Sequence, residues 1–213
     1  MEESERDAFL AAARVAAELV RRPEVRERWG EESACAGMSV GGLACHLASQ
    51  LDNTVRLLGA GASDQPPIRL VEHYSEAAWV RGTVDDEANV GIREGSNSQA
   101  ADGPDALLAT VRRRLEELPE ALASVGSGDP VLIPWQGWSL TAHDFLVTRM
   151  MEIVVHSDDL AVSIGADTPE FPDDVVSQVL ALLTGVAVGR HGATAVVRAL
   201  TRPQRAPDSI SAF

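Results

Sequence analysis

The sequence predicts an all-helical fold in one main domain, and three observations carry that prediction. Apolar residues make up 45% of the 213 positions while aromatics supply only 4%. Ala, Leu and Val therefore carry the core, a balance that favours helices packed through small side chains over a β-sandwich. Apolar residues recur at three- and four-residue spacing through most of the chain, the period of a helix with one buried face. A chain of this length can bury a sizeable core without disulfides.

The elements follow in order. Residues 3–22 place Phe9, Leu10, Ala13, Ala17 and Val20 on a helical repeat that Pro23 ends. Ser39 is an N-cap for a second helix running to about Leu58, with Val40, Leu43, Ala44, Leu47, Leu51, Val55 and Leu58 as its apolar stripe. The Gly- and Pro-rich residues 59–67 form a loop. Between residues 70 and 101, Val71, Tyr74, Ala78 and Trp79 predict one short helix. Val84, Ala88, Ile92 and Gln99 allow another, weakened by Gly91 and Gly95.

Gly103-Pro104 starts a firm helix that turns Leu108, Val111, Leu115 and Leu118 inward, and Pro119 is expected to stop or kink it. Residues 131–138 read as a small hairpin or a lid. Thr141 caps the longest apolar helix, which extends to about Ile164. Pro172 opens a further helix through Val176, Val179, Leu180 and Leu183, and the tail from Gly192 adds one short helix. Four main helices in a bundle with extra helices is the economical architecture. The division expected is a bundle over residues 1–168 and a C-terminal helical extension over 169–213.

Charge narrows the function. A net charge of −14 repels phosphate backbones and anionic lipid, so neither nucleic acid nor a membrane is the expected partner. Cys35 and Cys45 form no paired motif and read as reduced thiols, which points to the cytoplasm. The periodicity leaves monomer and homodimer equally open.

The helix around residue 150 breaks its own pattern. Met150, Met151, Ile153, Val154 and Val155 demand burial in nearly every direction, yet Arg149, Glu152, His156 and Asp159 recur at three- and four-residue intervals. An unpaired buried charge costs several kcal/mol, so this stripe needs partners. A divalent metal is one: Glu152 and His156, at i and i+4, can reach the same ion, with His46 from a facing helix as the third ligand. Two histidines and a glutamate leave a coordination position open, as catalytic sites do. An Arg149–Glu152 ion pair and a core-satisfied His46 are the competing readings, and periodicity alone leaves both standing. His143 and His73 read as surface positions, His191 as a helix C-terminus, and Cys45 points about 100° away from His46 around the helix.

Two runs carry a resemblance. Met38-Ser39-Val40-Gly41-Gly42-Leu43-Ala44-Cys45-His46-Leu47-Ala48 resembles the "ms-v-gdL-aHla" helix of the DinB-like superfamily, in the branch of mycothiol-dependent maleylpyruvate isomerase. The run from Phe145 to Ala161 is similar to that branch's "tR--E--vH-wDla" helix, with Ser157-Asp158 in place of its usual pair before Asp159. The resemblance implies a DinB-like four-helix bundle binding zinc or another divalent ion through His46, Glu152 and His156. It implies a low-molecular-weight thiol, mycothiol, as co-substrate and a small electrophile as its target, in S-transfer or cis–trans isomerisation. Asp159 would then hold a ligand's orientation or the thiol's amine, and Arg149 would neutralise a substrate carboxylate. A non-catalytic metal- or ligand-binding bundle and a metal-dependent hydrolase are the alternatives.

Overall fold

The structure is a computed structural model that describes residues 1–81 and 85–213. Helices dominate it: α1 (Glu3–Val20), α2 (Pro23–Glu27), α3 (Val40–Gly59), α4 (Leu70–Glu76), α5 (Ala78–Arg81), α6 (Glu87–Ala100) and α7 (Gly103–Ala123) come first. The hairpin of β1 (Pro130–Ile133) and β2 (Trp138–Thr141) follows, then α8 (Ala142–Ile164), α9 (Asp173–His191) and α10 (Ala193–Thr201). The all-helical expectation holds.

Packing makes α1, α3, α7 and α8 the bundle. Helix α3 lies against α7 and α8, and α1 closes the ring by packing on the same two helices. Their facing stripes bury Phe9, Leu43, Leu47, Leu51, Leu118, Phe145 and Leu146. Around this frame α6 packs on α3, α9 on α8 and α4, and α10 on α9. No single helix among the described residues is long and apolar enough to cross a membrane.

Capping fixes where the two central helices begin. The Ser39 hydroxyl accepts from the Gly42 amide at 3.0 Å, and the Thr141 hydroxyl from the Asp144 amide at 3.0 Å. Each satisfies one of the amides that a helix N-terminus leaves without a partner. Gly165 ends α8 in the left-handed conformation at φ 70°, a backbone state that glycine adopts without steric cost.

The structure refines the periodicity at several places. Pro23 ends α1 and also opens α2, a short helix that its fixed φ favours at the first position. Pro119 neither stops α7 nor marks its end, because the helix continues to Ala123. Gly91 and Gly95 sit inside α6, which packs on α3 and α7 and so forms despite their cost. Leu180 lies on the expected helix α9 but is 55% exposed. Val84 lies outside the described residues. The hairpin pairs antiparallel from Pro130 opposite Thr141 to Ile133 opposite Trp138, as residues 131–138 foretold.

Candidate metal centre

The crossing of α3 and α8 brings His46, Glu152 and His156 together. Leu43 and Leu47 are fully buried on α3, which leaves His46 on the flank of that stripe, turned toward α8. On α8, the i,i+4 spacing stacks Glu152 and His156 on one face. Both imidazoles present Nε2 to the same carboxylate oxygen: Glu152 Oε2 lies 3.6 Å from His46 and 3.2 Å from His156. The two rings meet edge to face with centroids 4.7 Å apart.

These three side chains pass the test of fit for a metal. One ligand atom from each lies within 4.8 Å of the other two. A tetrahedral ion with bonds near 2.0–2.1 Å sets its donors about 3.3 Å apart, close to both distances to Glu152. Two nitrogens and a carboxylate oxygen suit zinc and other borderline divalent ions. The side chains of His46, Glu152 and His156 are 17%, 16% and 20% exposed, so the cluster borders solvent and a further ligand can approach.

The electrostatics of the cluster are those of a coupled buried group. Burial raises the Glu152 pKa, but hydrogen bonds with His156 and His46 and the charges of His156 and Arg149 outweigh it. Glu152 is therefore an anion held well below the usual carboxylate range. Burial acts against a charged His156, yet the bonds with Asp159, Cys35 and Glu152 raise it well above the ordinary imidazole value. The surroundings therefore favour positive charge on His156 and negative charge on Glu152.

Asp159 lies where a supporting carboxylate is needed. Its Oδ2 is 3.0 Å from His156 Nδ1, which turns the opposite nitrogen, Nε2, toward Glu152 and His46. A carboxylate behind a ligating imidazole fixes its orientation and raises its basicity. Arg149 is buried, with 8% of its surface exposed. Its Nη1 donates to Gln50 Oε1 at 2.7 Å, its Nε to Thr148 Oγ1 at 3.1 Å, and the guanidinium lies 5.6 Å over the Phe145 ring.

Gln50 completes a network that periodicity did not single out. It is 1% exposed, and its Nε2 donates to the His46 carbonyl at 3.0 Å while its Oε1 takes the bond from Arg149. One buried amide thus ties the helix bearing His46 to the helix bearing Glu152, one turn from each. A polar residue one turn after His46 on so apolar a helix was the available signal.

The other histidines divide. His73, read from the sequence as surface, is buried at 3% exposure, because α4 folds against α9 and the hairpin lends a partner. Trp138 Nε1 donates to His73 Nδ1 at 2.9 Å. Burial, with the Arg149 charge adding to it, pushes the His73 pKa down to about 4. His143, also read as a solvated end, pairs with Glu5 at 2.8 Å and so ties the start of α8 to α1. His191 ends α9 as expected, its Nε2 2.8 Å from the Ser211 carbonyl. Cys45 is buried, and burial pushes its thiol up to about 11. Cys35, by contrast, reaches the site: its Sγ donates to Asp159 Oδ2 at 3.4 Å.

The chain is a helical bundle in which two crossing helices bring two imidazoles and a carboxylate to one point. The family model for the mycothiol maleylpyruvate isomerase N-terminal domain matches residues 9–161, and the chain belongs to that family. Neither a curated protein nor a solved structure matches the chain significantly.

Proposed function

We propose that the chain is a metal-dependent enzyme of the mycothiol-dependent isomerase or thiol S-transferase type, working at His46, Glu152 and His156. The observation that carries this reading is the convergence of two imidazole Nε2 atoms on one oxygen of Glu152, at 3.6 and 3.2 Å, with the three side chains 16–20% exposed. A bound zinc or similar divalent ion would lower the pKa of a thiol at the open position and so supply a thiolate at neutral pH.

The chain's own residues prepare that position. Glu152, already anionic, offsets the charge of the ion. Asp159 accepts a hydrogen bond from His156 Nδ1 and so directs Nε2 toward the other ligands. Arg149 places a permanent positive charge one turn from Glu152, which favours an anionic electrophile such as a small carboxylate. Its bond to Gln50 holds that charge in place rather than leaving it on a mobile side chain.

The test is metal analysis of the purified protein beside thiol-transfer assays with mycothiol and a panel of electrophiles. Stoichiometric metal is expected in the wild type and absent in His46→Ala and Glu152→Ala, with transfer lost in both. Full transfer activity in a metal-stripped sample ends the reading.

A further inference from the structure

The geometry points to a second, thiophilic metal site behind the first, built from Cys35, Asp159 and the Nδ1 edge of His156. This site shares His156 with the first through the ring's other nitrogen, takes its remaining donors from Cys35 and Asp159, and does not depend on the thiol-transfer reading.

Cys35 reaches α8 because its turn is pinned there. The turn before α3 is closed by Ser33 N to Met38 O at 3.0 Å, Met38 N to Cys35 O at 3.0 Å and Cys35 N to Ser33 Oγ at 3.1 Å. The Ala34 amide donates to Ser163 Oγ at 2.9 Å, and that hydroxyl donates to the Asp159 carbonyl at 2.6 Å. The loop is thereby fixed to α8 one turn past Asp159, which sets the Cys35 sulfur above the Asp159 and His156 side chains.

The three donors already stand at coordination spacing. Cys35 Sγ is 3.4 Å and His156 Nδ1 is 3.0 Å from Asp159 Oδ2, and the three ligand atoms lie within 4.8 Å of one another. An ion with a sulfur bond near 2.3 Å and nitrogen or oxygen bonds near 2.0–2.1 Å sets those edges at about 3.5 and 3.3 Å. Cys35 is half-buried, and the His156 and Asp159 side chains are 20% and 28% exposed, so an ion has a way in.

Donor chemistry separates the two sites. A thiolate selects soft and borderline ions such as cadmium or zinc, whereas the first set has no sulfur. Binding a divalent ion here displaces the thiol proton of Cys35 and the Nδ1 proton of His156, while Asp159 is already anionic. Two protons leave as one dication arrives, so the net charge of the cluster is unchanged. Were both sites filled, His156 would be shared as an imidazolate, its Nδ1 proton having left and its hydrogen bond to Asp159 replaced by joint ligation.

Cadmium titration of the chelator-stripped full chain tests this, read by the ultraviolet thiolate-to-cadmium charge-transfer band and by bound cadmium after dialysis. His46→Ala isolates the second site: the variant is expected to bind cadmium with the band intact. His46→Ala/Cys35→Ala is expected to lose both, and Cys45→Ser to lose neither. Asp159→Asn keeps the band but weakens binding by about 10–100-fold. Far-ultraviolet circular dichroism checks each variant's fold, and blocking Cys35 in the His46→Ala chain with a small methylthiolating reagent gives the same reading without a second substitution. A band that survives loss of Cys35, or a folded His46→Ala chain that takes up no cadmium, overturns the proposal. Failure of thiol transfer in the wild type leaves the band unaffected, so the two readings fail separately.

Discussion

Helix α8 meets its two bundle neighbours in different chemistry. Toward α1 the partner is a helix of small apolar side chains, with Ala8, Phe9, Ala12, Ala13, Ala16 and Ala17 all essentially inaccessible. Toward α3 it carries Arg149, Glu152 and His156, answered by Gln50 and His46. Apart from the His143–Glu5 pair at its end, the first interface is stabilised by dispersion and removal from water, and neither requires one particular partner atom. The second is held by directed bonds in a poorly solvated setting, where each group depends on one other and loss of either strands its partner. The lesson is that one helix can be core on one side and site on the other, and that substitutions on the two sides should be distinguishable by what they change.

Phe9→Ala should give the largest loss of stability, about 3–5 kcal/mol by urea denaturation, while metal bound per folded chain stays at the wild-type level. A matching loss of metal would break the separation between the two faces.

Acid should unmask His73 next. Its neutral form is favoured in the fold, with Nδ1 accepting from Trp138 and the pKa moved from 6.5 to about 4. Its contribution is therefore complete above pH 6.5 and lost as the pH falls through 4. The shift corresponds to about 3 kcal/mol. Urea midpoints from pH 7 to 4 should fall less steeply in His73→Gln; equal slopes would remove His73 from the account.

Gln50→Leu strips the acceptor from Arg149 and should cost about 1–3 kcal/mol in the metal-free chain, together with weaker zinc affinity. If stability falls and a competition assay with a chromophoric chelator finds unaltered affinity, Gln50 is a packing residue and not a tie between ligand-bearing helices. Asp159→Asn should weaken zinc by about 10–100-fold, or about 1.4–2.7 kcal/mol, by loosening His156. Ser39→Ala gives the smallest effect, about 1 kcal/mol of stability with no change in metal, since it removes the cap bond to Gly42 and a bond to Asn97, both remote from the ligands.

The sequence by itself determined the helical bundle, both caps of the central helices and the anomalous stripe on α8. These are local matters: a hydroxyl finding an amide three residues on, and a 3.6-residue period set against residue polarity. The stripe's need for partners made His46 the candidate third ligand beside Glu152 and His156, the resemblance implied the same set, and the structure brings those three together. Tertiary packing alone decided that Arg149 donates across to Gln50 on α3 as well as to Thr148 beside it. It also decided that His73 is buried and that Cys35 arrives beside Asp159. Each of these depends on a contact between segments remote along the chain, made by a loop or a short helix whose path no periodicity encodes. Spacing in the sequence fixes which side of a helix a residue occupies; only the assembled bundle fixes what stands opposite it.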